Sequence, residues 1–226
     1  MEKLIFWDWS GTLADESALD KSVCLSMEEE IARSDQVSLE EAIEKFNRHL
    51  KKLENTWKWH DYVFHGESFG IDWKHSQENH LDKLSLLPYA REILKYSHGQ
   101  GYKNILASNA VRPVILLRVA HTGLLNLFDL VITSDDVGAL KSEGKHFTLG
   151  LEQLKGDPQK SFSVGDNPVQ DIRLAHRLSL HTIFCAYGKE RTHYHSEHLT
   201  SNHDEVEKAD FIIHSLEEIK EIIKDK

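Results

Sequence analysis

Short apolar runs, each closed by turn-forming residues, recur at Leu4–Trp7, Ile105–Ala107, Leu130–Thr133, Ser161–Val164, Thr182–Ala186 and Phe211–Ile213. Their lengths and boundaries predict buried β-strands. Between most of them lie stretches with apolar residues at helical spacing, namely Ala90–Tyr96, Pro113–His121, Lys145–Leu154 and Val169–Arg177. Strands that alternate with helices imply right-handed crossovers and a parallel sheet, so the pattern predicts an α/β, doubly wound core.

One stretch breaks that rhythm. Residues 16–84 hold no strand pattern but carry long, charged, amphipathic helical patterns such as Leu39–Val63. This predicts an α-helical insertion after the first strand, with the core made of 1–15 and 85–226. The four prolines, Pro88, Pro113, Pro158 and Pro168, all suit helix starts or loops and leave the predicted strands intact.

Composition narrows the partners. The 27 Lys and Arg are outnumbered by 37 Asp and Glu, giving a formal charge of -10, which argues against nucleic acid or an anionic membrane. A small molecule or another protein is the expected partner. Cys24 and Cys185 cannot build a disulfide framework, because Cys185 falls within an apolar run that reads as a buried strand. The stretch Leu4–Trp7 is too short for a signal-peptide core, and no apolar run approaches the ~20 residues of a membrane span. A soluble, cytoplasmic protein is the expectation.

In an open parallel sheet, ligands bind at the carboxyl ends of the strands. There the sequence places Asp8-Trp9-Ser10-Gly11-Thr12-Leu13, then Ser108-Asn109, then Lys141, then Gly165-Asp166-Asn167 with Asp171 following. A carboxylate can attack phosphorus only if the substrate's negative charge is offset. That calls for a hard cation on oxygen ligands, a lysine and hydrogen-bond donors. Asp8, Asp166, Lys141 and Ser108 supply such a set.

These four strand-end motifs, in this order, resemble those of the haloacid dehalogenase superfamily, in its phosphoglycolate-phosphatase-like and phosphonatase-like branch. Ser134-Asp135-Asp136-Val137-Gly138 before Lys141, and Lys145-His146-Phe147 after it, resemble that motif's usual surroundings, although the prolines common after the lysine are missing. The resemblance implies a Rossmann-like core, a magnesium ion and a small phosphorylated substrate, with the insertion acting as a cap that excludes water. It implies Asp8 as nucleophile and metal ligand, with the Ser10 main-chain carbonyl and Asp166 as further ligands. Asn167 and Asp171 would stand behind them. Ser108, and with it Asn109, would bind the phosphoryl oxygens, and Lys141 would hold the nucleophile and offset transition-state charge.

Ser10 departs from the phosphatase pattern, which has a second aspartate there to act as acid and base. General acid–base catalysis is worth roughly 10²–10⁴-fold, so its loss should tell most on poor leaving groups. Three alternatives therefore stay open. Asp8-Trp9-x-Gly-Thr resembles phosphonoacetaldehyde hydrolases, for which Lys51 or Lys52 would have to serve as the Schiff-base amine. Carbon–halogen cleavage uses the same nucleophile without a metal, against the acidic residues Asp166 and Asp171. A phosphoryl-binding module with weak turnover is the third.

Other features read as structure first. Asp15 suits a helix N-cap, and His193, His195, His198 and His203 read as a solvated stretch, although such spacing can bind zinc or nickel. Trp57, Trp59, Tyr62, Phe64 and Trp73 read as helix packing, with an apolar lid over the substrate as the alternative.

Overall fold

A computed structural model describes residues 1–187 and 209–224. Its main sheet has six strands, all parallel: β1 (Lys3–Trp7), β4 (Tyr102–Ser108), β5 (Leu130–Thr133), β6 (Phe162–Gly165), β7 (His181–Cys185) and β8 (Phe211–Ile213). They lie in the order β5-β4-β1-β6-β7-β8, so β1 is central. Leu4, Ile5, Phe6 and Trp7 are all buried, as expected of a parallel strand covered on both faces. Ile5 and Trp7 join one core cluster, while Leu4 and Phe6 join the other, because successive side chains point to opposite faces.

Helices cover both faces. On one side lie α5 (Ala90–Gly99) and a last helix, Ile219–Ile223, burying Ile93, Leu94, Ile219 and Ile223. On the other lies α8 (Lys145–Gln153), whose Phe147 meets Phe6 edge to face with ring centroids 5.4 Å apart. The register sets Trp7 level with both Leu106 and Val164. Asp8, Ser108 and Asp166 consequently emerge along one edge of the sheet.

Between β1 and α5 a second, two-stranded antiparallel sheet pairs β2 (Ala14–Asp15) with β3 (Ser85–Leu86). The chain between them forms α1 (Ser17–Asp35), α2 (Leu39–Lys51), α3 (Tyr62–Phe69) and α4 (Trp73–Glu78), and adds no strand to the sheet. Ser38 and Glu41 form a capping box that starts α2.

The pattern Leu39–Val63 does not form one helix. It breaks after Lys51, passes through Asn55 at φ 62° and a short 3₁₀ turn at Trp57–His60, and restarts where the Asp61 carboxylate accepts from the Phe64 amide at 2.9 Å. A local cap outcompetes the periodicity there. Val169–Arg177 likewise begins as a π turn, Pro168–Ile172, before α9 (Arg173–Arg177). Among the described residues no helix is long and apolar enough to cross a membrane. His193, His195, His198 and His203 lie outside the described residues.

Candidate active site

Asp8 leaves the end of β1 only 9% exposed. Thr12 donates to one of its oxygens at 3.0 Å, and the Lys141 ammonium contacts the other. Thr12 can reach back because the Thr12, Leu13 and Ala14 amides all bond to the Trp9 carbonyl, in a tight turn that puts Gly11 at φ 80°. Lys141 also pairs with Asp171 at 2.6 Å and is itself 3% exposed. Burial alone would lower its pKa, but the charges of Asp171 and Asp8 outweigh that and hold it above its ordinary value.

Asp8, Asp166 and Asp171 each offer a carboxylate oxygen, all within 4.8 Å of one another. Two of the three, Asp8 and Asp171, pair with the one ammonium. Burial, reinforced by Asp8 and Asp166 and opposed by Lys141, pushes Asp171 up to about 7. Gly165 makes the approach possible, since a Cβ there would lie 2.2 Å from the Asp171 carboxyl carbon. Oxygen ligands with surplus negative charge suit a hard divalent cation, so this donor set fits magnesium.

Ser108 lies at the end of β4, 6% exposed, its hydroxyl accepting from the Ala110 amide at 3.1 Å. The Asn109 side-chain oxygen accepts from the Lys141 amide at 2.9 Å and so ties two strand ends together. Asn167 uses its side-chain oxygen to cap the turn it precedes, accepting from Val169 and Gln170. Asp15 accepts from the Ser17 amide at 3.0 Å, but the N-cap position of α1 falls on Glu16 and not, as read from sequence, on Asp15.

The chain carrying this site matches a known family. A model of haloacid dehalogenase-like hydrolases matches residues 2–178, and a second, HAD-hydrolase-like model matches 141–219. The chain belongs to the haloacid dehalogenase-like hydrolases. A ribulose-1,5-bisphosphate 5-phosphatase of Halopiger xanaduensis is 31% identical over 111 residues, 49% of this chain and 46% of that enzyme. The pyrophosphatase PpaX of Oceanobacillus iheyensis is 25% identical over 99% of this chain and 97% of its own length. The crystal structure of a phosphatase of the family from Thermococcus onnurineus superposes with a TM-score of 0.82 at 27% identity, covering 98% of this chain and 97% of that one. This haloacid dehalogenase-like chain is accordingly an enzyme of the hydrolase class, on a Rossmann-like fold.

Several residues of the site escaped the sequence reading. Thr12 was visible only as part of a motif. Glu16, 4% exposed, accepts from the Trp9 indole at 2.7 Å and hydrogen-bonds the Ser10 side chain. Burial raises its pKa against the opposing pull of Arg118. Gln170 accepts from the Ser142 amide at 2.9 Å and joins the Lys141 loop to the Asp166 loop. His146 supports Ser108 from below. The signal that could have found Arg118 is a cation inside the apolar helix Pro113–His121.

Proposed function

We propose that this haloacid dehalogenase-like chain hydrolyses small phosphate monoesters, with magnesium required, through a phosphoryl group carried transiently on Asp8. The observation that carries this reading is the Lys141 ammonium held between Asp8 and Asp171, with Asp166 near enough to share a cation with both. The phosphatases among its relatives support the substrate class.

Asp8, Asp166 and the Ser10 carbonyl would hold the ion, with Asp171 and Asn167 behind them. Bound there, magnesium would offset the charge of the phosphoryl oxygens. Thr12 and Lys141 fix the plane of the Asp8 carboxylate. One Asp8 oxygen attacks phosphorus as the ester P–O bond breaks and the alcohol oxygen leaves with the bonding pair. Water then attacks the same phosphorus and the bond to Asp8 breaks, regenerating the carboxylate and releasing phosphate. Ser108 donates to the phosphoryl oxygens, with Asn109 beside it, and Lys141 offsets the charge that builds on them.

The helical segment 16–84 is the proposed cap, closing over this site to exclude water and select the substrate. Phosphonate cleavage is the weaker reading. Lys51 and Lys52 are both exposed at the end of α2, unlike the desolvated amine that a Schiff base requires.

The test is phosphate release from a panel of phosphorylated metabolites with magnesium or with excess chelator. Release that needs magnesium and vanishes in Asp8→Asn is the expected result. Full activity in chelator would overturn the proposal.

A further inference from the structure

Arg118 sits on α6 (Arg112–His121), a core helix that otherwise turns Val114, Ile115 and Val119 inward. It is 3% exposed, yet among the described residues the partners of its guanidinium lie in the segment that follows the nucleophile loop. Its guanidinium pairs with Glu16 at 3.0 Å and Asp20 at 2.8 Å, and its Nε donates to Gln77 at 3.0 Å. The Tyr62 ring stacks 5.3 Å away, and its hydroxyl donates to Asp20 at 3.1 Å. One core side chain thereby grips α1, α3 and α4 together with the turn before α1. A guanidinium spreads its donors over Nε and both Nη atoms in one plane and so reaches three acceptors that stand apart, whereas an ammonium offers its three donors from a single point.

Glu16 carries the grip onward. Its carboxylate holds the Trp9 indole and the Ser10 side chain, the two residues directly after Asp8. The Ser10 hydroxyl is therefore engaged by a carboxylate whose own charge is balanced by Arg118.

We propose that Arg118 is a positioning residue: through Glu16 it sets Trp9 and Ser10 beside the nucleophile, and the same guanidinium seats the cap helices on the core. Cap pose and nucleophile loop are thus one coupled unit. When Asp20, Tyr62 and Gln77 leave Arg118, the guanidinium loses the contacts that fix its plane, and Glu16 with the loop that it holds loosens. The kinetic side of this inference rests on the phosphatase reading, while the coupling itself does not.

Hydrogen exchange of the full chain tests the coupling, with p-nitrophenyl phosphate turnover in magnesium beside it. Arg118→Lys keeps the charge but loses the fork. It should speed amide exchange at residues 9–14 as well as in α1 and α4, each by about tenfold or more. It should lower kcat by about tenfold or more with KM changed less than about threefold, as expected when a reacting group is misplaced. Arg118→Met combined with Glu16→Gln removes both charges. It should return residues 9–14 towards wild-type protection while α1 and α4 stay fast. Wild-type exchange at 9–14 in Arg118→Lys, with only the cap helices loosened, would overturn the proposal. So would a double variant that leaves 9–14 unprotected. If Arg118→Met/Glu16→Gln does not fold, Arg118→Lys decides. If the wild type releases no phosphate from any ester, the phosphatase reading fails and the exchange results still judge the coupling.

Discussion

His146 is wholly buried, and its Nε2 donates to the main-chain carbonyl of Ser108 across 3.1 Å. A carbonyl only accepts, so this nitrogen carries the proton, and Nδ1 has no partner among the described residues. Burial, with the nearby charge of Lys141, pushes its pKa down to about 4.

That depression makes stability depend on pH. As pH falls below the ordinary histidine value, the unfolded chain takes a proton that the folded chain refuses, so stability present above about 6.5 is lost down to about 4, by roughly 3 kcal/mol in all. Asp171, held up at about 7, works in the opposite sense over part of the same range. The useful comparison is therefore wild type against His146→Leu. Urea unfolding at about pH 7.5 and 4.5 should show a smaller loss of stability on acidification in the variant. Equal losses would refute the role of His146.

Asp8→Asn should separate activity from stability. It should abolish phosphate release, because an amide cannot attack phosphorus. Without metal it should also raise the melting midpoint by roughly 2–4 °C for each kcal/mol gained, since it removes one charge from a cluster of three carboxylates of which two already pair with Lys141. Magnesium at about 100 times its Kd should stabilise the wild type by roughly 2.7 kcal/mol and the variant much less. Thermal melts with and without magnesium give both results, and a variant less stable than wild type in chelator would contradict the charge argument.

The strands were legible because central parallel strands are buried on both faces and read as apolar runs. Leu130–Thr133 and Phe211–Ile213 fall where the pattern put them, and Ser161 drops out because its amide bonds back to the Pro158 carbonyl at 3.1 Å as the cap of the turn Pro158–Lys160. The break after Lys51 was not legible. Lys51, Lys52, Glu54 and Asn55 are exposed, and a solvated helix face and a solvated turn have the same composition. Asp8, Lys141 and Asp166 were legible through their place after strands. Glu16 and His146 were not, because what marks them is a burial that only the fold creates, and Arg118 showed only as a cation in an apolar helical pattern, without the partners that give it a role.

Ser10→Asp alone should help turnover less than its position suggests. It would set a new carboxylate against Glu16, which already bonds the Ser10 side chain. Adding Glu16→Gln removes that conflict. With an alkyl phosphate, kcat should rise more in the double variant than in Ser10→Asp, within the ~10²–10⁴ available to acid–base catalysis, and aryl phosphates should gain less. Equal alkyl rates in the two variants would show that Glu16 does not set the environment of position 10.

Gly165→Ala should damage the metal site without touching a ligand. The added methyl would meet Asp171 at 2.2 Å, so the carboxylate must swing away or the strand must shift. A cost of roughly 1–3 kcal/mol is expected of such overpacking, with a weakened magnesium response. Isothermal titration with magnesium checks it, and an unchanged affinity would mean that Asp171 has no part in holding the ion.

The antiparallel pair Ala14–Asp15 and Ser85–Leu86 brings the two ends of the helical segment side by side. A segment mounted on such a base is, to the sheet, one long loop, and doubling a loop's length adds only about 0.6 kcal/mol to its closure entropy. Helices of other lengths could be grafted beyond Glu16, Asp20, Tyr62 and Gln77, the residues that hold Arg118, without moving β1 or β4. The segment can then vary in its outer reaches while Asp8 and Lys141 keep their places at the sheet edge.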